Sequence, residues 1–421
     1  MKKILYIMCF SITIGTTAQS TWQEITTPTN KNLNSIDFPT PLVGYIGGED
    51  SLLLKTTDGG LTWEEINFSG ITFYPNGYDF MEVDFVTEDI GFVTIGPYTG
   101  TYKTTDGGLT WTQLNTSGSL CYNHGLYFLD QSYGFVGGAG CFQGENMDKI
   151  VSGTATPVVI NTPSWDNDII VDIDFNPNSF MSVGLAVSTG GRVLRTTDSG
   201  ETWDTIPTSL GNGVPLTSVT IVNDTLAYAG YDNGSNSMGL LRSIDAGLTW
   251  STDINSATFH YPVFHDVYTT LEGKVYSGAT STTTGNGVIF EWDGSGFWFN
   301  QDVDQPIYCM TSYNDSVVWG VGANGYVVTN KSEDQLSLGE VDVLKKLAVF
   351  PNPAHDIIQL KLPSDLASKT FDIEIFSLNG QCVKRILNSK MGIDVLDLEP
   401  GTYIIHLNTG FKNWSAKWVK L

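Results

Sequence analysis

Basic residues are in short supply. Twenty-one Lys and Arg stand against 45 Asp and Glu, a formal net charge of −24 over 421 residues. An acidic field of that size repels phosphate backbones and anionic lipid, so nucleic acid and membrane surfaces are poor partners. Histidine and cysteine number only five each. With no Cys-x-x-Cys, no His-Glu-x-x-His and no His pair at ligand spacing, the sequence gives no reason to expect a metal or a cofactor. After the first 20 residues no apolar run approaches bilayer-spanning length, so no transmembrane segment is expected. Charged residues of either sign make up only 16% of the chain.

Glycine and aromatic residues are plentiful: 45 Gly and 12% Phe, Trp and Tyr suit many short strands joined by turns. One nonapeptide organises them. Lys55 to Trp63, Lys-Thr-Thr-Asp-Gly-Gly-Leu-Thr-Trp, returns letter for letter at Lys103 to Trp111. Worn copies at Arg195 to Trp203 and Arg242 to Trp250 keep the basic residue, the Asp, the Gly two places on and the Trp. A fainter one runs Asp293 to Trp298. The tryptophans at 63, 111, 203, 250 and 298 stand 48, 92, 47 and 48 residues apart, the step of 92 hiding one degenerate unit. A period in the forties with strand-like flanks predicts a β-propeller, one four-stranded blade per repeat. Asp58, Asp106, Asp198, Asp245 and Asp293 are then hairpin-turn residues accepting local N–H groups, while Trp63, Trp111, Trp203, Trp250 and Trp298 pack between blades.

Inner strands open near 34, 81, 123, 169, 216, 265 and 307, which gives seven blades. The third has lost its Asp turn, and the seventh lacks an outer strand. That strand is supplied from the other end of the propeller, because Thr21-Trp22-Gln23-Glu24-Ile25 matches Thr62-Trp63-Glu64-Glu65-Ile66. Trp22 therefore closes the ring and removes a sheet edge. Residues 1–18, with Lys2, Lys3 and a short apolar run, have the layout of a secretory signal peptide. The propeller is assigned residues 19–330, a polar linker 331–346, and a small β-sandwich 347–421. Cys121 and Cys141 bracket two antiparallel strands and are candidates for a disulfide in an oxidising compartment.

The repeat resembles the Asp-box, or bacterial neuraminidase repeat. Its longer unit is similar to the propeller repeats of photosystem II assembly factors and of sortilin-type proteins, a resemblance that covers roughly residues 21 to 330. The last segment resembles the C-terminal sorting domain of the type IX secretion system. Val349-Phe-Pro351-Asn352-Pro353, then Asn379-Gly380, then Pro400-Gly401-Thr402-Tyr403 and the basic tail carry that likeness. It implies a member of the Bacteroidota, type IX machinery and its sortase as partners, and a secreted location, attached to the outer-membrane surface or released.

Sialidase chemistry needs three converging arginines, and the propeller holds only Arg192, Arg195 and Arg242, two of them in the repeat itself. That activity is not expected. A polysaccharide-active glycoside hydrolase using channel carboxylates is the alternative, with Asp79, Glu82, Asp84, Asp168, Asp172, Asp174 and Asp266 on or before inner strands. The recurrence of Asp-Phe at 37, 84 and 174 favours a structural role, and the reading is a non-catalytic binding module. Long insertions gather on the face opposite the Asp turns and carry Phe73, Tyr74, Tyr78, Phe142, Tyr231, Phe259 and Tyr261, with His265 nearby. Aromatic and small polar side chains on a rigid scaffold suit glycans or surface proteins.

Overall fold

The computed structural model describes residues 21–71, 78–96, 100–114, 120–140, 146–160, 168–176, 182–211, 213–232, 234, 238–255, 262–270, 273–292, 294, 298–313, 317–331, 348–350, 357–361, 371–377, 382–389, 392–408 and 413–420. Seven sheets, antiparallel but for one added strand, follow one another along the chain. Their innermost strands are Leu33–Asp37, Phe80–Phe85, Leu120–Asp130, Ile170–Phe175, Leu216–Ile221, Pro262–Thr269 and Ile307–Ser312. Each packs beside the next and the seventh packs beside the first, so the sheets form a closed ring. Gln23–Ile25 supplies the outer strand of the seventh blade, pairing Gln23 with Thr329 and Ile25 with Val327. Trp22 meets Tyr276 edge to face at 6.0 Å.

The recurring Phe and Gly of the repeat explain each other. The Phe that ends an inner strand lies flat over the Gly that starts the second strand. A Cβ on Gly44, Gly91, Gly134 or Gly184 would meet the rings of Phe38, Phe85, Phe128 or Phe175 at 2.6, 2.4, 2.4 and 2.6 Å. Aromatic faces also join blades: Tyr45 stacks on Phe85 and Phe92 on Phe128, each with centroids 3.5 Å apart. The inter-blade cores are assembled from such residues on both sides of each seam.

Two blades depart from the pattern. In the third, Met147–Val151 and Thr154–Pro157 are joined by Ser152 and Gly153, with φ of 50° and 79°, a two-residue turn that does without an Asp. In the fourth, Val159–Ile160 adds a fifth strand, parallel to the outer strand at Thr202 and Trp203. The chain leaving blade three thus runs along the outside of blade four before entering it.

The C-terminal region forms two antiparallel sheets. One holds Ala348–Phe350, Ile357–Lys361 and Gly392–Asp394; the other holds Phe371–Ser377, Cys382–Ser389, Gly401–Asn408 and Asn413–Lys420. Ile358, Leu360 and Ile393 from the first meet Ile373, Ile375, Ile405 and Trp418 from the second in one core, which makes a small sandwich. Among the described residues no helix is long and apolar enough to cross a membrane.

Candidate functional site

Each Asp turn is a closed hydrogen-bond knot. Thr62 donates its N–H to Asp58 Oδ1 at 3.0 Å and its hydroxyl to Oδ2 at 2.6 Å, while Thr56 donates to Oδ1 at 2.7 Å and accepts from Gly60 N–H at 2.9 Å. Asp106 with Thr110, Asp198 with Thr202 and Asp245 with Thr249 repeat the geometry. Those bonds favour the charged form, and the ones from Thr110 and Thr249 hold Asp106 and Asp245 below the usual carboxylate range. Trp63, Trp111, Trp203 and Trp250 are buried. The indoles of the last three donate to Gly108, Gly200 and Gly247 carbonyls. Trp298 is half-buried and donates instead to Asp253 at 2.8 Å. Asp293 lies outside the described residues.

The channel inside the ring is a cavity of about 490 Å³ lined by Asp37, Glu82, Asp84, Asp172, Asp174 and Asp266. All but Asp37 are among the candidate catalytic carboxylates of the sequence, and the five aspartates bond across a blade seam. Asp37 accepts Phe85 N–H at 2.7 Å, Asp84 accepts Phe128 N–H at 2.6 Å, and Asp172 and Asp174 accept Val219 and Ile221 N–H at 2.7 Å. Asp266 accepts Met310 N–H at 2.7 Å. Each bond runs from one inner strand to the next blade's. The reason is geometric: neighbouring inner strands do not pair as a ladder, so their inward N–H groups need side-chain acceptors. Enclosure by the inner strands pushes Asp37 and Asp172 up to about 6 and Asp174 and Asp266 up to about 7, although each keeps some exposure to the channel. Burial, then the charges of Asp172 and Asp84, also hold Glu82 well above its usual range.

Of the other proposed hydrolytic carboxylates, Asp168 is buried in a separate knot, accepting from Ser188 Oγ at 2.9 Å and pairing with Arg192 at 3.4 Å. Asp79 accepts Asp50 N–H at 3.0 Å. Arg192, the one propeller arginine outside the repeat, is thereby occupied.

Tyr231 departs from expectation. It is 2% exposed, within the core between blades four and five, because the second strand Ala227–Asp232 runs past it instead of ending there. A side chain so placed has no surface to offer a ligand. Tyr78 is half-buried against the second-blade core, and its carbonyl accepts Ser51 N–H at 2.9 Å. His265 bonds Thr280 Oγ1 at 2.7 Å and meets Tyr308 edge to face; burial lowers it to about 4, so it is neutral at physiological pH. Phe73, Tyr74, Phe142, Phe259 and Tyr261 lie outside the described residues, as do Cys141 and the side chain of Cys121. In the sandwich, Tyr403 donates to Glu399 O at 2.7 Å and Gly401 opens its strand. Pro351, Asn352, Pro353 and Gly380 are outside the described residues. Among the described residues no group of three or more His, Cys, Asp and Glu has metal-binding geometry.

Asp turns, stacked seams and a closed ring define a seven-bladed propeller of the Asp-box kind with a sandwich behind it. Residues 14–126 match the family model of the photosynthesis system II assembly factor YCF48, and residues 348–421 match the secretion system C-terminal sorting domain. The sorting domain indicates export by the type IX route to the cell surface or beyond. Comparison with curated proteins by sequence gives no match. Among solved structures the chain is similar to YCF48 bound to a D1 peptide, with a TM-score of 0.56, 17% identity, and 73% of this chain covering 96% of that one. It is similar to PorZ, a surface component of the type IX system of Porphyromonas gingivalis, with a TM-score of 0.50, 12% identity and coverage of 94% and 60%. An ancestral GH74 enzyme gives 0.56, 12%, 95% and 64%. At these identities the likeness is one of fold.

Proposed function

We propose that the chain is a secreted, cell-surface-associated binding module without catalytic activity. In this reading residues 1–18 direct export, 19–330 bind, 331–346 link, and 347–421 engage the type IX machinery and its sortase. The observation that carries the reading is the use of the channel carboxylates: five accept backbone N–H groups of the neighbouring blade, which leaves them as mortar between sheets. Ligands are glycans or surface proteins, met through the long-loop face with Phe73, Tyr74, Tyr78, Phe142, Phe259, Tyr261 and His265. The peptide held by the similar YCF48 propeller supports polypeptide as one ligand class.

The second reading, a polysaccharide hydrolase, draws on Glu82, whose carboxyl is held by burial well above its usual range, the direction a general acid needs, and on the fold likeness to a GH74 enzyme. Incubating the mature chain with a panel of plant and bacterial polysaccharides, alongside a glycan and protein-binding array, separates the two. Binding without sugar release supports the module. Sugar release that Glu82→Gln abolishes overturns it.

A further inference from the structure

A second cavity, of about 280 Å³, lies where the two ends of the ring meet. Three pieces of chain enclose it: the closing strand with the loop after it, the link from blade six to blade seven, and the turn between the second and third strands of blade seven. Glu24 and Thr26 come from the first, Asp304 and Gln305 from the second, Asn324 and Tyr326 from the third. These loops belong to the face opposite the Asp turns. The walls are stitched across the closure, with Thr27 Oγ1 donating to the Gly325 carbonyl and Gly325 N–H to the Lys31 carbonyl, both at 2.7 Å. Asn324 at φ 55° and Gly325 at 74° make the tight turn this needs, and a Cβ on Gly325 would meet the Thr29 carbonyl at 2.1 Å.

The polar groups of the cavity are unevenly satisfied. Asn324 Nδ2 is taken by Gln305 Oε1 at 2.9 Å. Glu24 and Asp304 are exposed, neither joins an ion pair among the described residues, and no basic side chain lines the cavity with them. Tyr326 is 8% exposed; its hydroxyl accepts Asp304 N–H at 3.2 Å, and no acceptor for its own proton is found among the described residues. Burial raises that phenol above its ordinary value, and the charges of Glu24 and Asp304 add to the effect, so the proton is kept. A buried donor without an acceptor is unfavourable, and two carboxylates without a counter-charge repel an anion. The fitting ligand is uncharged, offers hydrogens to carboxylate oxygens and offers an oxygen to the phenol beside them. Adjacent hydroxyls give and accept at the same atoms; an ammonium has no acceptor, and the N–H and C=O of a peptide point apart. The volume lies just below the usual range of small-molecule sites, roughly 300–1,000 Å³, which limits the occupant to about one or two rings.

We infer that this cavity is a binding site for an uncharged sugar residue, held through neighbouring hydroxyls by Glu24, Asp304 and the Tyr326 hydroxyl, and that its occupant fastens the ring. The fastening follows from the walls, which stand together only when both ends of the propeller have met: Glu24 and Thr26 precede the first blade, and Asp304 to Tyr326 belong to the last. The assignment rests on the binding-module reading and gives it a ligand class and a place.

The test titrates the full chain with the methyl glycosides of glucose, galactose, mannose and N-acetylglucosamine, read by saturation-transfer NMR. Saturable binding of at least one, weakened fivefold or more by Asp304→Ala and by Tyr326→Phe and unchanged by Glu64→Ala on the outer strand of blade one, is expected. Asp304→Ala alters an exposed side chain and keeps the backbone N–H, so a loss there is not a loss of fold. Binding of none of the four, binding indifferent to both cavity variants, or displacement by the uncharged peptide Ac-Ala-Ala-NHMe overturns the assignment. The binding-module reading outlives each of these results and falls only if the glycan and protein array is blank as well. Hydrogen exchange reads the fastening. At a sugar concentration ten times the Kd, the amides of Gln23–Ile25 and Val327–Thr329 should exchange about tenfold more slowly, with those of Thr154–Ala155–Thr156 on the outer strand of blade three unaffected. Equal protection in both places, or none at the closing strand, would show that the sugar does not hold the ring shut.

Discussion

Aspartate does two opposite jobs in this chain. In the Asp turns the charged form is the bonded one, so Asp106 and Asp245 titrate below the usual range and their contribution is present above pH 3.8 and lost as pH falls. In the channel the folded state holds protons more tightly than the unfolded chain, with Asp174 and Asp266 near 7 instead of 3.8. Their contribution is complete below pH 3.8 and is lost as pH rises toward 7. Calorimetry across pH should therefore show the highest unfolding midpoint at roughly pH 4, with a decline from there toward pH 7. Asp174→Asn keeps an oxygen for Ile221 N–H and removes the charge. It should raise the midpoint most at pH 8, less at pH 5, and converge with the parent chain below pH 3.8, and so flatten the alkaline limb. Asp58→Ala, which strips Thr62 and Thr56 of their acceptor, should cost about 1–3 kcal/mol at pH 7 by urea denaturation.

At the scale of a strand, the pairing of Phe and Gly sets what a blade tolerates. Gly184→Ala places a methyl 2.6 Å from the Phe175 ring, which is fully buried beneath Trp203 and Phe135, so overpacking should cost about 1–3 kcal/mol in chemical unfolding. This level of organisation was partly legible. The spacing of Trp63, Trp111, Trp203, Trp250 and Trp298 gives the blade count, and the match of residues 21–25 to 62–66 gives the closing strand, because both are repeats of a local pattern. What the channel carboxylates hold was not legible. Asp84 and Phe128 are partners only through the ring, and nothing local in either strand reports the other. Tyr231 misled because a strand that outlasts its neighbours looks, in one dimension, like the root of a loop.

The whole molecule depends on its ring being whole. Removing residues up to 26 should expose the edge of Val327–Thr329 and the face of Tyr276 that Trp22 covers. The expected outcome is a lower, broadened unfolding transition by calorimetry and concentration-dependent association by light scattering, while a shortened chain that stays monomeric with an unchanged midpoint would show the strand to be dispensable. The pairing of Gln23 with Thr329 also carries a rule of timing. Roughly 300 residues must be gathered before that pair can form, a closure entropy on the order of 5 kcal/mol that no local contact repays. Blades one to six can mature as a chain lengthens, but the latch between its two ends must wait until the seventh has emerged, so a polypeptide still threading through a pore remains an open, pliable arc and hardens into a wheel only after its last spoke arrives.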